Sequence, residues 1–435
     1  MSRFIIDNLK KISWLKSTVS AVKLYLRNRK ELPYFENVKE RHLQAIDRIK
    51  KKDFVTVAFF VIHRSVWKYD LLFEMLEQHP RFKPVIIICP YLNHGEASKK
   101  EEMKLALSFF KTKKYNVKST HLADNSWLDI KSSIDPDVIF FTNPHRLTKD
   151  IYYITNYSDC LTCYVPYSFH ITHLHRAMVD QLFHNLLWKA FYETKHNKQY
   201  AIENARNKGS NVIITGYPGA DIYIKNDKVE IDPWKPQDKI KKRIIWAPHH
   251  TILDNQNDLG FSTFLKYASI FVELAKKNKE QIQIAFKPHP VLKPKLYELP
   301  SWGQQRTDDY YNVWQEMDNG QLETGSYEDL FLTSDAMIHD CASFMAEYLY
   351  TKKPIMFLVR SKIVKNKFNS LGKLIFDQHY KAKNLQDVES FIKDVVIGDA
   401  DELKQDRLDF VSSYLMQSEG LASENILNVL LEELA

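Results

Sequence analysis

Between Val55 and Val359 the chain repeats one pattern: an apolar run of strand length, a polar or proline stop, then a stretch long enough for a helix. Val55–Ile62 ends at His63, Val85–Cys89 at Pro90, Val138–Thr142 at Asn143-Pro144-His145, and Cys163–Val165 at Pro166. Tyr69–Gln78 and Lys99–Lys113 have helical character, and Gln181–Tyr192 and Gln199–Asn207 read as helices leading onward. Strands separated by helices cannot pair as hairpins. Each must cross over to lie parallel to its predecessor, which builds a parallel sheet covered on both faces. The pattern resumes with Val212–Thr215, Arg243–Trp246, Ile282–Phe286, Ala336–Ile338 and Ile355–Val359. Phe264–Lys277, Tyr327–Leu332 and Ser343–Tyr350 fill its helical intervals, and Gln405–Leu415 and Ala422–Leu434 follow as helices. A chain of 435 residues is too long for one small core. The expected fold class is therefore α/β, with two Rossmann-like domains facing across a cleft. Their expected spans are 53–207 and 208–400, with a basic arm over 1–52 and closing helices over 401–435. The polar stretch Lys225–Lys242, with two prolines, reads as a loop.

Two strand ends carry the densest chemistry. Ile282–Phe286 runs into Lys287-Pro288-His289-Pro290, and Ala336–Ile338 into Asp340-Cys341-Ala342-Ser343. In an open α/β sheet, ligands bind at that edge, beside the N-termini of the following helices. A turn at Cys341–Ser343 that opens a helix offers free N–H groups and a positive dipole end to a phosphate. His289 is fixed by a proline on each side and suits charge stabilisation or proton transfer. Lys287 adds charge. Asp340 and Ser343 suit ligand contact, and equally suit ordinary helix capping. Glu347, four residues after Ser343 and on the same helical face, suits ribose hydroxyls or solvent. His249 and His250 follow Pro248 at a strand end, where alternation predicts that one of them faces the cleft. Two histidines are too few for a metal, and Asp254 and Asp258 read as surface loop, so no metal site is expected. In the first half, His63, His145 and His170 stand near strand ends, and histidine suits deprotonating an incoming hydroxyl. The whole suggests a site for a nucleotide-diphosphate donor. There is no Gly-x-Gly-x-x-Gly and no P-loop, which argues against NAD enzymes and ATPases, and no cofactor is expected.

Five stretches, in order over roughly residues 212 to 430, resemble the CDP-glycerol glycerophosphotransferase family, which includes the teichoic-acid polymerases. They are Thr215-Gly216-Tyr217-Pro218-Gly219-Ala220-Asp221, Ile244-Ile245-Trp246-Ala247-Pro248-His249-His250-Thr251, Lys287–Pro290, Asp340–Ser343, and Glu419-Gly420-Leu421-Ala422-Ser423-Glu424-Asn425-Ile426. Asn425 stands where the family has Arg, and Cys341-Ala342 where it has Tyr-Ser. The family's N-terminal Trp-His-Gly-Thr-Pro-x-Lys element is absent, and Tyr164-Val165-Pro166-Tyr167-Ser168-Phe169-His170 occupies roughly its place. The resemblance implies the GT-B architecture, His289 as the main catalytic residue and His170 as the acceptor-side base. His249, His250, Lys287, Asp340, Ser343 and Glu347 are then the donor-binding set. It implies transfer of glycerol phosphate from CDP-glycerol to a cell-surface polymer or its lipid-linked precursor, releasing CMP. Two alternatives stand beside it. One is a glycosyltransferase using a CMP- or other nucleotide-linked sugar in capsule or lipopolysaccharide synthesis. The other is a non-catalytic membrane-surface scaffold.

Charge is uneven along the chain. Residues 1–52 hold 14 Lys/Arg and 5 Asp/Glu, while the whole chain has a formal charge of +7, so the remainder is close to neutral. Within that arm Ile5, Leu9, Ile12, Leu15, Val19, Val22 and Leu26 recur at helical spacing among lysines and arginines. Such a helix suits an anionic membrane surface, or docking on the protein's own core. Basic and aromatic residues are not interleaved in a nucleic-acid-reading module, so nucleic acid is not an expected partner. Four cysteines are too few for a disulfide framework, and Cys160 and Cys163 read as strand packing. With no signal-peptide pattern and no long apolar stretch, the expected location is the cytoplasm or the cytoplasmic face of the membrane.

Overall fold

The computed structural model describes residues 26, 29–92, 95–225, 229–253 and 260–434. The apolar stripe from Ile5 to Val22, and Asp254 and Asp258, lie outside them. The first sheet contains β1 (Val55–Val61), β2 (Phe82–Ile88), β3 (Val117–Ser119), β4 (Val138–Phe141), β5 (Leu161–Tyr164), β6 (Lys189–Tyr192) and β7 (Val212–Ile214). Its order is β3-β2-β1-β4-β5-β6-β7, all parallel. The second contains β8 (Lys242–Ala247), β9 (Ile282–Phe286), β10 (Gly320–Leu322), β11 (Ala336–His339), β12 (Ile355–Leu358) and β13 (Tyr380–Ala382). Its order is β10-β9-β8-β11-β12-β13, again parallel. The α/β expectation of two parallel sheets holds.

Both sheets are buried on both faces, which is why their strands read as continuous apolar runs. Val57, Phe59 and Val61 enter one core, and Ala58 and Phe60 the opposite one. Phe59 stacks on Phe140 of the neighbouring strand at 4.9 Å between ring centroids. In the second sheet Trp246 stacks on Phe271 at 4.2 Å and on Phe286 at 4.9 Å. Each sheet reverses its winding beside its first strand, between β1 and β4 and between β8 and β11. In sheets of this kind, ligands bind at those points.

Two expectations need correction. Val212–Ile214 does not open the second half; it is the seventh strand of the first sheet, with Ile214 beside Tyr192. The ladder edge of β6 is completed by this strand, and Val212 is buried in the same core as Tyr192. Gln181–Tyr192 is not one helix: Leu182–Leu186 is helical and Lys189–Tyr192 is a strand. A short buried strand has no period-two signature, so its apolar run is indistinguishable from a buried helix by pattern. Within the expected basic arm, the described residues include one docked helix. The helix Val38–Ile49 puts Ala45 and Ile49 into the first core, and Arg48 Nη2 donates to the Asp159 carbonyl at 2.8 Å.

The C-terminal helix Ala422–Leu434 returns to the first half, where Ile426, Leu427, Leu430 and Leu434 complete the core beneath Val57 and Phe59. Its N-terminus is held by Asp221, whose carboxylate accepts from Ala422 N at 2.8 Å and Ser423 N at 2.9 Å. Asn425 Nδ2 donates to the Thr215 carbonyl at 3.1 Å. Gly216, at φ +90°, allows the approach, since a Cβ there would stand 3.2 Å from the Ala422 methyl. The Thr215–Asp221 and Glu419–Ile426 stretches thus form one structural joint. A second seam joins the halves at Thr172 and Phe368, which form an antiparallel bridge, and at Asn369, whose N–H donates to the Ile171 carbonyl at 2.9 Å.

Candidate active site

β9, β8 and β11 are adjacent, so the turns that follow them lie side by side at the carboxyl edge of the second sheet. Those turns bring three imidazoles together. Ring centroids are 4.3 Å apart for His249 and His250, 5.3 Å for His249 and His289, and 4.3 Å for His250 and His289. Both adjacent histidines join the cluster, against the expectation of one. β8 ends at Ala247, before Pro248, so the pair is outside the alternating strand geometry.

The cluster has the spacing of a metal site, with one nitrogen of each ring within 4.8 Å of the others. Its protons point to a different ligand. His249 Nδ1 accepts from Thr251 N at 3.3 Å and lies 2.8 Å from the Thr251 hydroxyl. His289 Nδ1 accepts from Val291 N at 3.2 Å, and His250 Nδ1 lies 2.9 Å from Lys295 Nζ. An imidazole that accepts at Nδ1 carries its proton on Nε2 when neutral. Burial keeps all three neutral: it lowers His289 to about 3, helped by His250 and Lys295, and His250 to about 4, helped by Lys295. His249 is pushed well below its ordinary value, again first by burial. A metal needs the Nε2 lone pair, whereas this set offers three N–H groups. Such donors suit phosphate oxygens.

The other expected residues support this edge from beneath. Asp340 is fully buried; its carboxylate accepts from His249 N at 2.5 Å, from the Thr263 hydroxyl at 2.7 Å, and from Thr263 N. Burial raises its pKa to about 6 against the pull of those donors. It braces the histidine loop and has no surface to offer a ligand. Lys287 turns inward and donates to the Gly325 carbonyl at 2.6 Å, and burial lowers it to about 8. Glu347, also buried, has both carboxylate oxygens 2.9 Å from the Tyr327 hydroxyl and one 3.5 Å from Lys68 Nζ. Its expected place before a ribose or solvent is taken by these partners. Ser343 remains partly exposed at the edge, with its hydroxyl 2.9 Å from Cys341 Sγ.

His170 is the clearest departure. It is 3% exposed, with its ring 4.8 Å from Tyr192 and its Nδ1 3.8 Å from a Glu193 carboxylate oxygen. Burial drives its pKa to about 3. Its carbonyl accepts from Asn197 Nδ2 at 3.2 Å and from Asn369 Nδ2 at 2.7 Å, which sets it in the seam between the halves. An incoming hydroxyl cannot reach a sealed ring. The position before the seam is fixed by backbone pairing, which no side-chain pattern announces.

Sequence reasoning missed Lys68, Thr251, Thr263, Lys295, Tyr327 and Arg360. Thr251 alone had a local signal, a hydroxyl two residues after a strand-end histidine. Arg360 braces the same loop by donating to the carbonyls of Thr251 at 3.0 Å and Ile252 at 3.2 Å. Lys68, from the loop after β1, crosses to the second half, 3.5 Å from Glu347 and 3.7 Å from Glu328. Among the described residues no helix is long and apolar enough to cross a membrane.

Known proteins resemble this arrangement at two levels. Teichoic acid ribitol-phosphate polymerase TarK of Staphylococcus aureus is 26% identical over 188 residues, 41% of this chain and 33% of its own length. TarL of the same organism is 27% identical over 187 residues, 41% of this chain and 30% of its own length. The match thus spans about a third of these relatives. In fold, the structure of the wall teichoic acid polymerase TagF superimposes with a TM-score of 0.58 at 16% identity, covering 96% of this chain and 98% of the chain in that structure. The UDP-GlcNAc 2-epimerase of Neisseria meningitidis gives 0.55 at 14% identity, covering 87% and 99%. At such identities the likeness is one of architecture. The model of the CDP-glycerol:poly(glycerophosphate) glycerophosphotransferases matches residues 181–432, more than half of the chain and all three imidazoles, and the chain belongs to that family.

Proposed function

We propose that the protein transfers a polyol phosphate from its CDP-linked form to a cell-surface polymer or its lipid-linked precursor, releasing CMP. The observation that carries this reading is the group of three neutral imidazoles, each with Nδ1 occupied, at the switch point of the second sheet. The acceptor hydroxyl attacks the β-phosphorus, the bond from that phosphorus to the bridging oxygen breaks, and the electron pair leaves on CMP. Negative charge grows on the bridging and non-bridging oxygens. N–H groups already aimed at that place stabilise it without reorganising, and the Ser343 hydroxyl adds a further donor. Asp340, Thr251 and Lys295 keep the rings in register.

CDP-glycerol is the first donor to test, from the family the chain belongs to. CDP-ribitol is the second, because the two staphylococcal relatives are ribitol-phosphate polymerases. A thermal-shift series with CDP-glycerol, CDP-ribitol, CMP-sugars and UDP-sugars separates them, since a ligand stabilises the native state with the logarithm of its concentration over Kd. Stabilisation by a CDP-polyol with CMP release in the presence of acceptor is the expected result. Stabilisation by a nucleotide sugar alone would instead favour a glycosyltransferase. The reading also places the protein on the inner face of the membrane. Residues 1–30 carry 8 Lys/Arg and 1 acidic residue, each basic side chain contributing on the order of 1 kcal/mol near an anionic surface. Binding to anionic vesicles that weakens with salt, and its loss on deleting 1–25, tests that placement.

A further inference from the structure

The transfer needs a group that takes the proton of the incoming hydroxyl, and His170 is closed to it. We propose that His63, linked to Ser65 and Glu102, is that acceptor-side base, an inference that rests on the transfer reading above. His63 stands two residues past β1, the strand at the switch point of the first sheet, and so occupies in the first half the position that His249, two residues past β8, occupies in the second. The loop it begins is pinned across the cleft, because Lys68, five residues on, is held by Glu347 at 3.5 Å and Glu328 at 3.7 Å. His63 is near enough to His289 for its charge to bear on that ring. Tyr91, after β2, meets the His63 ring edge-on at 6.4 Å.

The local geometry has the order of a proton relay. His63 Nδ1 accepts from Ser65 N at 3.2 Å and lies 2.7 Å from the Ser65 hydroxyl. The ring proton therefore sits on Nε2, which stands 3.9 Å from a Glu102 carboxylate oxygen. The Ser65 contact alone is what a cap on the short turn Arg64–Val66 requires. Glu102 is not: it comes from the separate helix Glu96–Thr112, and its charge at 3.9 Å stabilises an imidazolium. His63 and Glu102 are each partly exposed, at 28% and 35% of their side chains, so solvent reaches them. As the acceptor oxygen bonds to the β-phosphorus, its proton passes to Ser65 Oγ and the serine proton passes to His63 Nδ1. The bond to the bridging oxygen breaks and CMP leaves. The imidazolium, held by Glu102, then returns its proton to water. Every residue of this relay lies before residue 181, outside the span matched by the family model.

The test uses the full chain, CDP-glycerol and CDP-ribitol, and an acceptor, with CMP release as readout. His63→Asn should lower kcat about 100-fold or more, the usual scale for losing a general base, while the donor-induced thermal shift stays as in wild type. Ser65→Ala should lower kcat by about tenfold or more under the same conditions. Removing a negative charge beside a base favours its neutral form, so Glu102→Gln should move the acid limb of the kcat profile to lower pH. A purely structural role would leave that limb in place. Unchanged kcat and an unchanged acid limb in a folded His63→Asn protein would overturn the assignment, as would the same loss appearing in His145→Asn instead. Wild-type protein that releases no CMP from either donor would overturn the transfer reading and the base with it. An active wild type with an unaffected His63→Asn would overturn the base alone.

Discussion

Each ring of the histidine cluster is held through its Nδ1 by a partner that stays when another ring is removed: Thr251, Lys295 or the Val291 N–H. His289→Ala should therefore give a folded protein that has lost one N–H from the leaving phosphate. Turnover should fall at least about 100-fold, the scale seen when one preorganised donor is deleted, as measured by CMP release. Burial holds His289 near 3 and His250 near 4, so these rings contribute equally throughout pH 6 to 8. A rate limb in that window would belong to another group. Glu193 behaves oppositely. Burial raises its carboxyl to about 8 against an ordinary 4.5, so its contribution to stability is full below 4.5 and is lost as pH rises through 8. Glu193→Gln should flatten that slope, readable as the change of Tm between pH 5 and 8. The strand-end motifs showed in the sequence which residues gather at the edge. They did not show depth: Lys287, Asp340 and Glu347 lie at the expected turns but face inward, because each turn also has buried carbonyls, N–H groups or a lysine to satisfy.

At the scale of elements, strands with an unbroken apolar run were legible, the three-residue β7 among them, while β3, β6, β10 and β13 were not. β1, β2, β4, β8, β9, β11 and β12 stand close to their expected spans, because burial on both faces demands unbroken apolar runs. β3, β10 and β13 have three residues each and are fixed by pairing with a neighbour, which leaves little pattern to read. The joint between the Asp221 turn and the helix Ala422–Leu434 was visible as two motifs, but not as one contact. Its energetics are testable. Asp221→Ala leaves two helix N–H groups without their acceptor and should cost about 1–2 kcal/mol, the range for losing an N-cap. Leu430→Ala, at a fully buried position, should cost about 2–5 kcal/mol. Urea unfolding of both variants, with an unchanged slope, is the measurement. A cost below about 0.5 kcal/mol for Leu430→Ala would mean that the helix is not part of the first core.

Across the whole molecule, the two halves meet through buried polar contacts as well as apolar ones. Lys68 lies between Glu347 and Glu328, near Tyr327, while Asn369 and the bridge at Thr172 close the opposite seam. Lys68→Met strands the buried Glu347 carboxylate, while Glu328 keeps part of its solvent, and breaking such a buried pair costs about 3–5 kcal/mol. Calorimetry should show one transition for the wild type and a broadened or split one for the variant, as the halves uncouple. An unchanged transition would assign the coupling to the seam at Asn369. This arrangement was hidden in the sequence because its partners are far apart: Lys68 and Glu347 belong to different sheets and to different motifs.

The return of residues 422–434 to the first core has a consequence for how the chain is made. A ribosome delivers β1 to β7 early, yet the face of that sheet carrying Val57 and Phe59 lacks the last of its covering helices until the whole second sheet has been synthesised. The half that is translated first is therefore finished last. An apolar surface waits in the open through the synthesis of some two hundred residues, which invites chaperone contact during that interval. It also means that a stop codon or a frameshift beyond residue 420 strikes the earliest-made part of the protein, although every strand of the chain has already been translated.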